Sequence, residues 1–269
     1  EGTLDDLYES DINKYIEYNL NDVKIVKALD DKLKLIDLAM GLSHLGHIPY
    51  EDVYFSSRYL EGAALVYLKN MNIVAPNKQL NAKQMMSRTD DDKAVGAYVK
   101  EPKPGRYDWV YDLDLTSMYP SVIMSLNISP EMKLGKLEGW NEEEFFKGTN
   151  KTHSFIVDGK IKGTFDDKEL KELFKTKDIT ISSNGVLYKN ETKGLLPSLL
   201  NKWFNERLEY KKLAKKYAEA EDDVNYNYFN RRQHIQKIVL NSLYGSLGLP
   251  VFRFYDKDNQ EAVTITGQS

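Results

Sequence analysis

Two aspartates in a short apolar stretch are the first residues whose spacing could support chemistry. Asp112 and Asp114 alternate with aromatic and aliphatic residues in Trp109–Leu115, a pattern that predicts a β-strand. Side chains alternate along a strand, so both carboxylates would share one face and the larger apolar residues the other. Carboxylates on such a strand are costly unless they bind a metal ion or reach water. The pattern therefore fits either a metal-binding strand or an edge strand with a solvated row of aspartates.

The residues that follow could bind phosphate. Thr-Ser-Met-Tyr-Pro at 116–120 predicts a turn that opens into a helix start over Ser121–Leu126. Backbone N–H groups at such a turn can hold a phosphate group. A metal-binding carboxylate, a phosphate-binding turn and the ring of Tyr119 would then lie within the ten residues 112–121.

A second group of polar residues lies near the C-terminus, in a predicted helix over Tyr228–Leu247. Lys237, Asn241 and Tyr244 are spaced to share one helix face, and Gly245 follows them. Lysine can neutralise a phosphate, tyrosine offers a flat surface to a base or sugar, and glycine permits close approach. An ordinary exposed helix surface has the same pattern.

Two basic residues lie on the preceding predicted helix, Leu195–Ala220. Arg207 and Lys211 are one turn apart, and a short connection favours antiparallel pairing of the two helices. Between 202 and 237 there are nine Lys/Arg and six Asp/Glu, within a chain of net charge −4. The groove between the helices could bind a polyanion, although a solvated charged face is the simpler interpretation.

Tyr18 and Asp22 lie one turn apart in a predicted helical stretch, Asp11–Met40. A carboxylate beside a phenol can bind a metal ion and orient a water molecule. The same spacing also occurs in an ordinary amphipathic helix, which the pattern alone favours.

Other predicted elements must position these groups. The sequence predicts a helix over Ser56–Met71 and a linker or exposed domain crossing over Pro76–Lys93. It also predicts strands at Ala97–Val99 and Val251–Tyr255, the second leading to a further helix. The region 135–193 mixes short strands with charged turns.

Composition limits the kinds of site that the chain can form. The 269 residues include no cysteine and four histidines, so a metal site would depend on carboxylates and favour Mg²⁺ or Mn²⁺. The sequence contains no long apolar run and no signal-peptide pattern, so we expect a cytoplasmic protein without a membrane segment.

Together these motifs resemble those of family B DNA polymerases, particularly the polymerases of T4-like bacteriophages. The segment 114–121 resembles motif A, 237–245 resembles motif B, and 18–22 resembles the third motif of the 3′–5′ exonuclease. Arg207 and Lys211 resemble the basic residues of the fingers. Supporting matches, in the family's order along nearly the whole chain, are at 57–61, 96–102 and 183–185.

The resemblance implies an α+β fold with a mixed palm sheet, a two-helix fingers hairpin and an N-terminal helical portion. The implied divisions are the end of the exonuclease domain at 1–34, a crossing segment of the N-terminal domain at 35–85, the first part of the palm at 86–193, the fingers at 194–249 and a truncated palm return strand at 250–269.

The resemblance also implies roles for individual residues. The implied catalytic residues are Asp114, Lys237, Tyr18 and Asp22. The implied ligands of Mg²⁺ or Mn²⁺ are Asp114, the carbonyl of Leu115, and Asp22. The implied nucleotide-binding residues are Leu115, Ser117, Met118, Tyr119, Arg207, Lys211, Lys237, Asn241, Tyr244 and Gly245.

The implied activity is template-directed, two-metal nucleotidyl transfer to a primer 3′-OH, with part of a proofreading exonuclease. The implied partners are dNTPs, primer–template DNA, a C-terminal polymerase part carrying the remaining palm and the thumb, and a sliding clamp bound through a more C-terminal segment. For a phage protein the setting would be the cytoplasm of the infected bacterium.

Three departures from the family pattern shape these expectations. The Tyr-Gly-Asp-Thr-Asp segment and the first two exonuclease motifs do not occur, so we expect the chain alone to be inactive. Only 25 residues separate Lys211 from Lys237, fewer than in T4-like fingers. Two alternatives stay open: Asp112 supplies the second carboxylate, or the chain is a non-catalytic DNA- or protein-binding fragment or subunit of a split polymerase.

Overall fold

Four helices and a 3₁₀ turn form the N-terminal part of the computed structural model, which describes residues 3–78, 96, 98–149, 151–176 and 178–269. These elements are α1 (Leu4–Ser10), α2 (Ile12–Leu33), α3 (Leu35–Gly46), the 3₁₀ turn Tyr50–Tyr54 and α4 (Ser56–Asn70). The helical prediction for Asp11–Met40 is confirmed as two helices. They are separated at Lys34, whose left-handed backbone (φ 52°) ends α2.

The packing of α3 against α4 depends on glycines at their contact. A Cβ atom added to Gly62 would lie 2.0 Å from the carbonyl oxygen of Gly46, and one added to Gly46 would lie 2.5 Å from Cβ of Tyr59. Neither position can therefore hold a larger residue without separating the helices. The close approach places the buried side chains of α4 against the main core.

An antiparallel sheet follows α5 (Met118–Leu126) and the 3₁₀ turn Pro130–Met132. Its strands are β1 (Lys133–Glu138), β2 (Thr152–Val157), β3 (Lys160–Asp166), β4 (Ile179–Ile181) and β5 (Val186–Lys189), in the order β3-β2-β1-β5-β4. Two helices interrupt them, α6 (Glu142–Lys147) and α7 (Asp167–Lys175). The region 135–193 thus holds all of the sheet except the first two residues of β1.

Two long helices, α8 (Leu195–Glu219) and α9 (Asp223–Leu247), form a hairpin, and α10 (Lys257–Gln268) follows. The hairpin turn contains Glu221 in the left-handed region (φ 55°), and the carboxylate of Asp222 accepts a hydrogen bond from the amide of Asn225 (3.1 Å). This cap satisfies an amide at the start of α9. The predictions of the hairpin and of an α+β fold are confirmed.

The described residues form two hydrophobic clusters. The larger one joins α3, α4, α5, α8, α9, α10 and β5, with Leu60, Tyr188, Leu200 and Leu240 fully buried. The smaller one packs α6 and α7 against the sheet around Leu137 and Leu170. The helices that carry the motif A and motif B residues therefore share a single core.

The predicted strands at Trp109–Leu115 and Val251–Tyr255 are wrong. The first segment has no regular secondary structure and is exposed throughout, so its two faces do not differ in burial. The second forms successive turns that bury Phe252 and Phe254, with the amide of Phe252 donating to the carbonyl of Leu249 (2.8 Å). Turns can thus imitate the alternating burial of a strand.

The structure describes only part of two other predicted segments. Of the predicted strand at Ala97–Val99, Ala97 lies outside the described residues, and Tyr98 and Val99 are exposed and not in a strand. Most of the predicted linker, 79–93, also lies outside them. No helix within the described ranges is long and apolar enough to cross a membrane.

Candidate functional site

The hairpin brings the two basic helices together with a defined register. Tyr217 of α8 stacks on Phe229 of α9 (5.5 Å between ring centroids), and Gln236 of α9 donates to Glu206 of α8 (2.6 Å). Tyr217 is the later residue of the two on α8, but its partner Phe229 is the earlier residue on α9. The two helices are therefore antiparallel, as predicted. This register places Arg207 and Lys237 at the same level of the hairpin.

The basic residues of this hairpin keep their charged groups available. Lys211, Lys237 and Asn241 are exposed, and Arg207 is half-buried. The Nε atom of Arg207 is buried and has no hydrogen-bond partner among the described residues. Because a buried guanidinium N–H without an acceptor is costly, the arrangement favours binding of an anion beside Arg207.

Two tyrosines meet where α5, α9 and α10 join. The rings of Tyr119 on α5 and Tyr244 on α9 lie 4.3 Å apart between centroids, and the Tyr244 hydroxyl is 2.6 Å from Oγ1 of Thr264 on α10. Loss of solvent raises the pKa of the Tyr119 phenol, and the neighbouring Tyr244 raises it further. The structure thus brings one predicted site residue from each motif into contact.

The first turn of α5 begins beside this pair. Ser117 precedes it with a left-handed backbone (φ 52°) and makes no side-chain capping hydrogen bond. A non-glycine residue in this conformation carries backbone strain. Met118 packs near Gly267 of α10, where an added Cβ would lie 3.3 Å from Cε of Met118. The amides of this turn are therefore placed next to Tyr119, where an anionic group could accept their hydrogen bonds.

Gly245 lies one residue beyond Tyr244 on the exposed side of α9. No atom lies within 4 Å of a Cβ built on it, so nothing within the described residues requires glycine there. A helix interior normally disfavours glycine by roughly 1 kcal/mol relative to alanine. The residue is therefore explained better by a molecule that approaches this face than by packing in the chain.

A polar cluster, which sequence analysis missed, joins the end of α5 to the start of α8; Asn127 and Ser129 are buried in it and Glu131 is exposed. Asn127 Oδ1 accepts from the amide of Gly194 (2.9 Å), and Glu131 Oε1 accepts from the amide of Leu195 (2.6 Å). Ser129 Oγ accepts from the amide of Leu196 (3.3 Å). These side chains act as the N-cap that α8 lacks locally. They come from more than sixty residues away, so no local pattern revealed them.

Asp114 of motif A and the neighbouring Asp112 are not assembled into a metal site by the described residues. Asp112, Asp114 and Leu115 are exposed in a segment without regular structure. No group of three or more potential acidic, histidine or cysteine ligands occurs in the parts of the chain that the structure describes. The oxygen atoms of Asp112, Asp114 and Leu115 suit a hard ion such as Mg²⁺ or Mn²⁺, but they do not form a complete set of ligands.

Tyr18 and Asp22 are confirmed to lie on one helix, α2, and both are exposed. Neither α1 nor α2 contributes a residue to a core, and many of their apolar side chains are exposed. Among the described residues, Asp22 belongs to no group of three or more possible metal ligands, and it lies on a different element from the Tyr119–Tyr244 contact.

Comparisons with known proteins agree with the motifs. A sequence model described as DNA polymerase family B matches residues 55–269. The chain is 27% identical to a DNA-directed DNA polymerase of Enterobacteria phage T4 and 26% identical to that of Escherichia phage RB69, in each case over all of this chain and 32% of the relative. The predicted resemblance, including its T4-like character, is confirmed.

Archaeal proteins give the same result. DNA polymerase 1 of Pyrococcus abyssi is 27% identical over 96% of this chain and 28% of its own length. The solved family B DNA polymerase of Pyrobaculum calidifontis superposes with a TM-score of 0.62 at 26% identity, covering 93% of this chain and 27% of that one. The chain thus spans about a third of the length of the phage relatives that it matches.

Proposed function

Because this chain belongs to DNA polymerase family B, we propose that it forms the nucleotide-binding part of a DNA-directed DNA polymerase. The observation that carries the proposal is the contact between Tyr119 and Tyr244, 4.3 Å apart, beside the hairpin that holds Arg207 and Lys237. An aromatic wall, a free helix start and nearby cations are what a nucleoside triphosphate requires.

Each part of the incoming nucleotide would contact a different element. The amides of Ser117 and Met118 and the side chains of Arg207, Lys211 and Lys237 would bind the triphosphate. Tyr119 would close against the 2′ position of the sugar and reject the hydroxyl of a ribonucleotide. Asn241, Tyr244 and Gly245 would line the pocket of the nascent base pair.

The proposed reaction is template-directed nucleotidyl transfer to a primer 3′-OH. Two divalent ions would supply charge stabilisation at the attacking and leaving oxygens. Asp114 and the carbonyl of Leu115 would contribute ligands to them. Since the described residues form an incomplete ligand set, we propose that further carboxylates come from a C-terminal polymerase part with the remaining palm and the thumb.

The remaining assignments belong to the same proposal. Residues 1–34 would end a 3′–5′ exonuclease domain, in which Asp22 would bind a metal ion and Tyr18 would orient water. The segments 35–85, 86–193, 194–249 and 250–269 would be the N-terminal-domain crossing, first palm part, fingers and palm return. Primer–template DNA and a sliding clamp would be further partners, in the cytoplasm of an infected bacterium.

Nucleotide binding by the 269-residue chain tests the proposal directly. We expect dATP with Mg²⁺ to bind weakly, and Lys237→Ala to lower the affinity about tenfold or more, since a charge-assisted hydrogen bond contributes roughly 1.5–3 kcal/mol. Lys215→Ala is the matched control, because Lys215 is an exposed lysine of α8 that pairs with Glu219 (3.8 Å). Equal binding by both variants would contradict the proposed triphosphate site.

Primer extension tests the catalytic part. We expect no incorporation by the chain alone and incorporation after addition of the downstream polymerase part, lost again with Asp114→Asn. Incorporation by the chain alone would instead show that it supplies every metal ligand, Asp112 included. DNA binding without any dependence on nucleotide or on Lys237 would favour a non-catalytic binding fragment.

A further inference from the structure

A cavity separate from the proposed triphosphate site lies between two pairs of helices. Residues of α3 and α4 form one wall, and residues of α8 and α9 form the other. Its volume is about 460 Å³, within the ~300–1,000 Å³ typical of small-molecule sites. None of the proposed nucleotide-binding residues lines it. Gln236 does, whereas its neighbour Lys237 is exposed and outside it, because successive helical residues point about 100° apart.

The most informative group in this cavity is the side-chain amide of Gln236, which is only 4% exposed. Its nitrogen donates to Glu206 Oε2 (2.6 Å), while its oxygen Oε1 is buried without a hydrogen-bond partner among the described residues. Exchanging the two amide atoms would place two acceptors against each other, so Glu206 fixes the orientation of the amide. The Oε1 atom has almost no accessible surface, so a ligand N–H or O–H donor reaches it only once the Gln236 side chain shifts towards the cavity.

The charged residues of the cavity favour an anion. Lys202 and Arg232 line it together with one carboxylate, Glu206, which is already bonded to Gln236 and lies 4.0 Å from Lys202. His44 and His47 lie on the opposite wall and can also donate hydrogen bonds. The lining thus has an excess of positive charge, opposite to the net charge of the chain.

Flat aromatic side chains complete the cavity. Tyr67, Trp203 and Tyr210 line it, and the guanidinium of Arg232 is held 5.6 Å from the Tyr210 ring and 5.0 Å from the Tyr228 ring. The Arg232 Nη1 atom also donates to the Tyr210 hydroxyl (3.1 Å). Arg232 is exposed, and these contacts hold its guanidinium beside Tyr210, which lines the cavity.

We propose that this cavity is a second ligand site for a nucleoside monophosphate, separate from the proposed triphosphate site. The flat ring of a base could stack on the aromatic lining. Its N–H groups could donate to Gln236 Oε1. The negative charge of a phosphate could pair with Lys202 and Arg232. The ligand would contact both helix pairs and so hold α3 and α4 against the hairpin.

Calorimetric titration of the 269-residue chain with AMP, GMP, CMP and UMP tests this site, without Mg²⁺ and with inorganic phosphate as a separate titrant. We expect at least one nucleotide to bind one-to-one and Gln236→Leu to weaken it about tenfold, the size of one lost hydrogen bond. Arg232→Ala should weaken the nucleotide but leave the corresponding nucleoside unchanged.

Gln233→Leu is the matched control for this experiment. Gln233 is also buried on α9, donates to Asn230 (3.0 Å) and does not line the cavity, so its replacement should leave binding unchanged. Absence of binding by all four nucleotides would overturn the proposal. So would inorganic phosphate binding as tightly as the nucleotides, or binding lost through Lys237→Ala while Gln236→Leu retains it. That last outcome would leave the proposed triphosphate site intact.

Discussion

Motif A and motif B residues lie in very different surroundings, although both were found from the same kind of local pattern. The motif B residues lie on α9, a 25-residue helix with Val239, Leu240 and Leu243 buried in the main core. Asp114 of motif A and the neighbouring Asp112 lie in an exposed segment without regular structure, where Trp109 is 100% exposed. A helix satisfies its backbone hydrogen bonds internally, whereas a strand needs a neighbour. The two motifs therefore differ in how much of their geometry this chain can determine alone.

The same contrast between a packed helix and an exposed segment occurs within motif A. Its helical half, α5, packs against α8, α9 and α10, and Asn127 at its end is hydrogen-bonded to the start of α8. Its extended half makes no such contacts among the described residues. The steric and phosphate-binding part of the proposed site is therefore ordered by this chain, and the metal-binding part is not.

The largest expected effect compares one leucine from each region. Leu240→Ala removes a side chain that is 1% exposed, and should lower the free energy of unfolding by about 2–5 kcal/mol. Leu113→Ala changes a side chain that is 86% exposed, and should change it by less than about 0.5 kcal/mol. Urea denaturation of both variants measures the difference. Similar losses would show that the segment 109–115 packs in solution.

Asn127→Ala should give the second-largest effect, because it removes part of the hydrogen-bonded connection between the end of α5 and the start of α8. It removes three hydrogen bonds, to Lys189, Thr192 and Gly194, and leaves alanine at φ 57°. We expect a loss of about 2–4 kcal/mol in unfolding free energy.

Asn127→Gly is the control for that result, since glycine accepts the left-handed backbone without strain. It should be about 1 kcal/mol more stable than the alanine variant. If the two variants denature at the same urea concentration, the backbone conformation at 127 contributes nothing measurable.

Gly245→Ala should separate stability from binding. Alanine meets no atom within 4 Å and improves helix propensity, so the unfolding free energy should rise by up to about 1 kcal/mol. The added methyl group would obstruct a molecule that approaches this face, so dATP or primer–template affinity should fall. Thermal denaturation and a binding titration on the same sample measure both. Unchanged affinity would remove Gly245 from the proposed site.

The smallest expected effect concerns the Tyr119–Tyr244 contact. Burial and Tyr244 raise the pKa of the Tyr119 phenol in the folded chain. The unfolded chain therefore releases this proton first, and stability falls as the pH rises above the ordinary tyrosine pKa of about 10. Tyr119→Phe should make that alkaline loss slightly less steep in denaturation measurements between pH 9 and 11. An unchanged slope would show that Tyr119 is solvated.

The helices that carry the proposed site residues were predictable from the sequence. The hairpin boundaries were right to within one residue, except that α9 begins at Asp223, five residues before the predicted Tyr228. Long periodic segments are local features that the sequence shows directly. The predicted strands failed for the opposite reason. The residues at Trp109–Leu115 and Val251–Tyr255 have the alternating pattern typical of a strand. Whether a strand forms depends also on a neighbouring strand to pair with.

Contacts between distant segments could not be predicted in this way. The capping of α8 by Asn127, Ser129 and Glu131 and the free oxygen of Gln236 depend on residues brought together by packing. The amino-acid sequence by itself determined the family, the helices and the identities of the proposed nucleotide-binding residues. Only the tertiary structure decided that Tyr119 contacts Tyr244 and that Asp112 and Asp114 stay exposed, because helices form from local hydrogen bonds whereas side-chain contacts and strand pairing require partners from elsewhere in the chain.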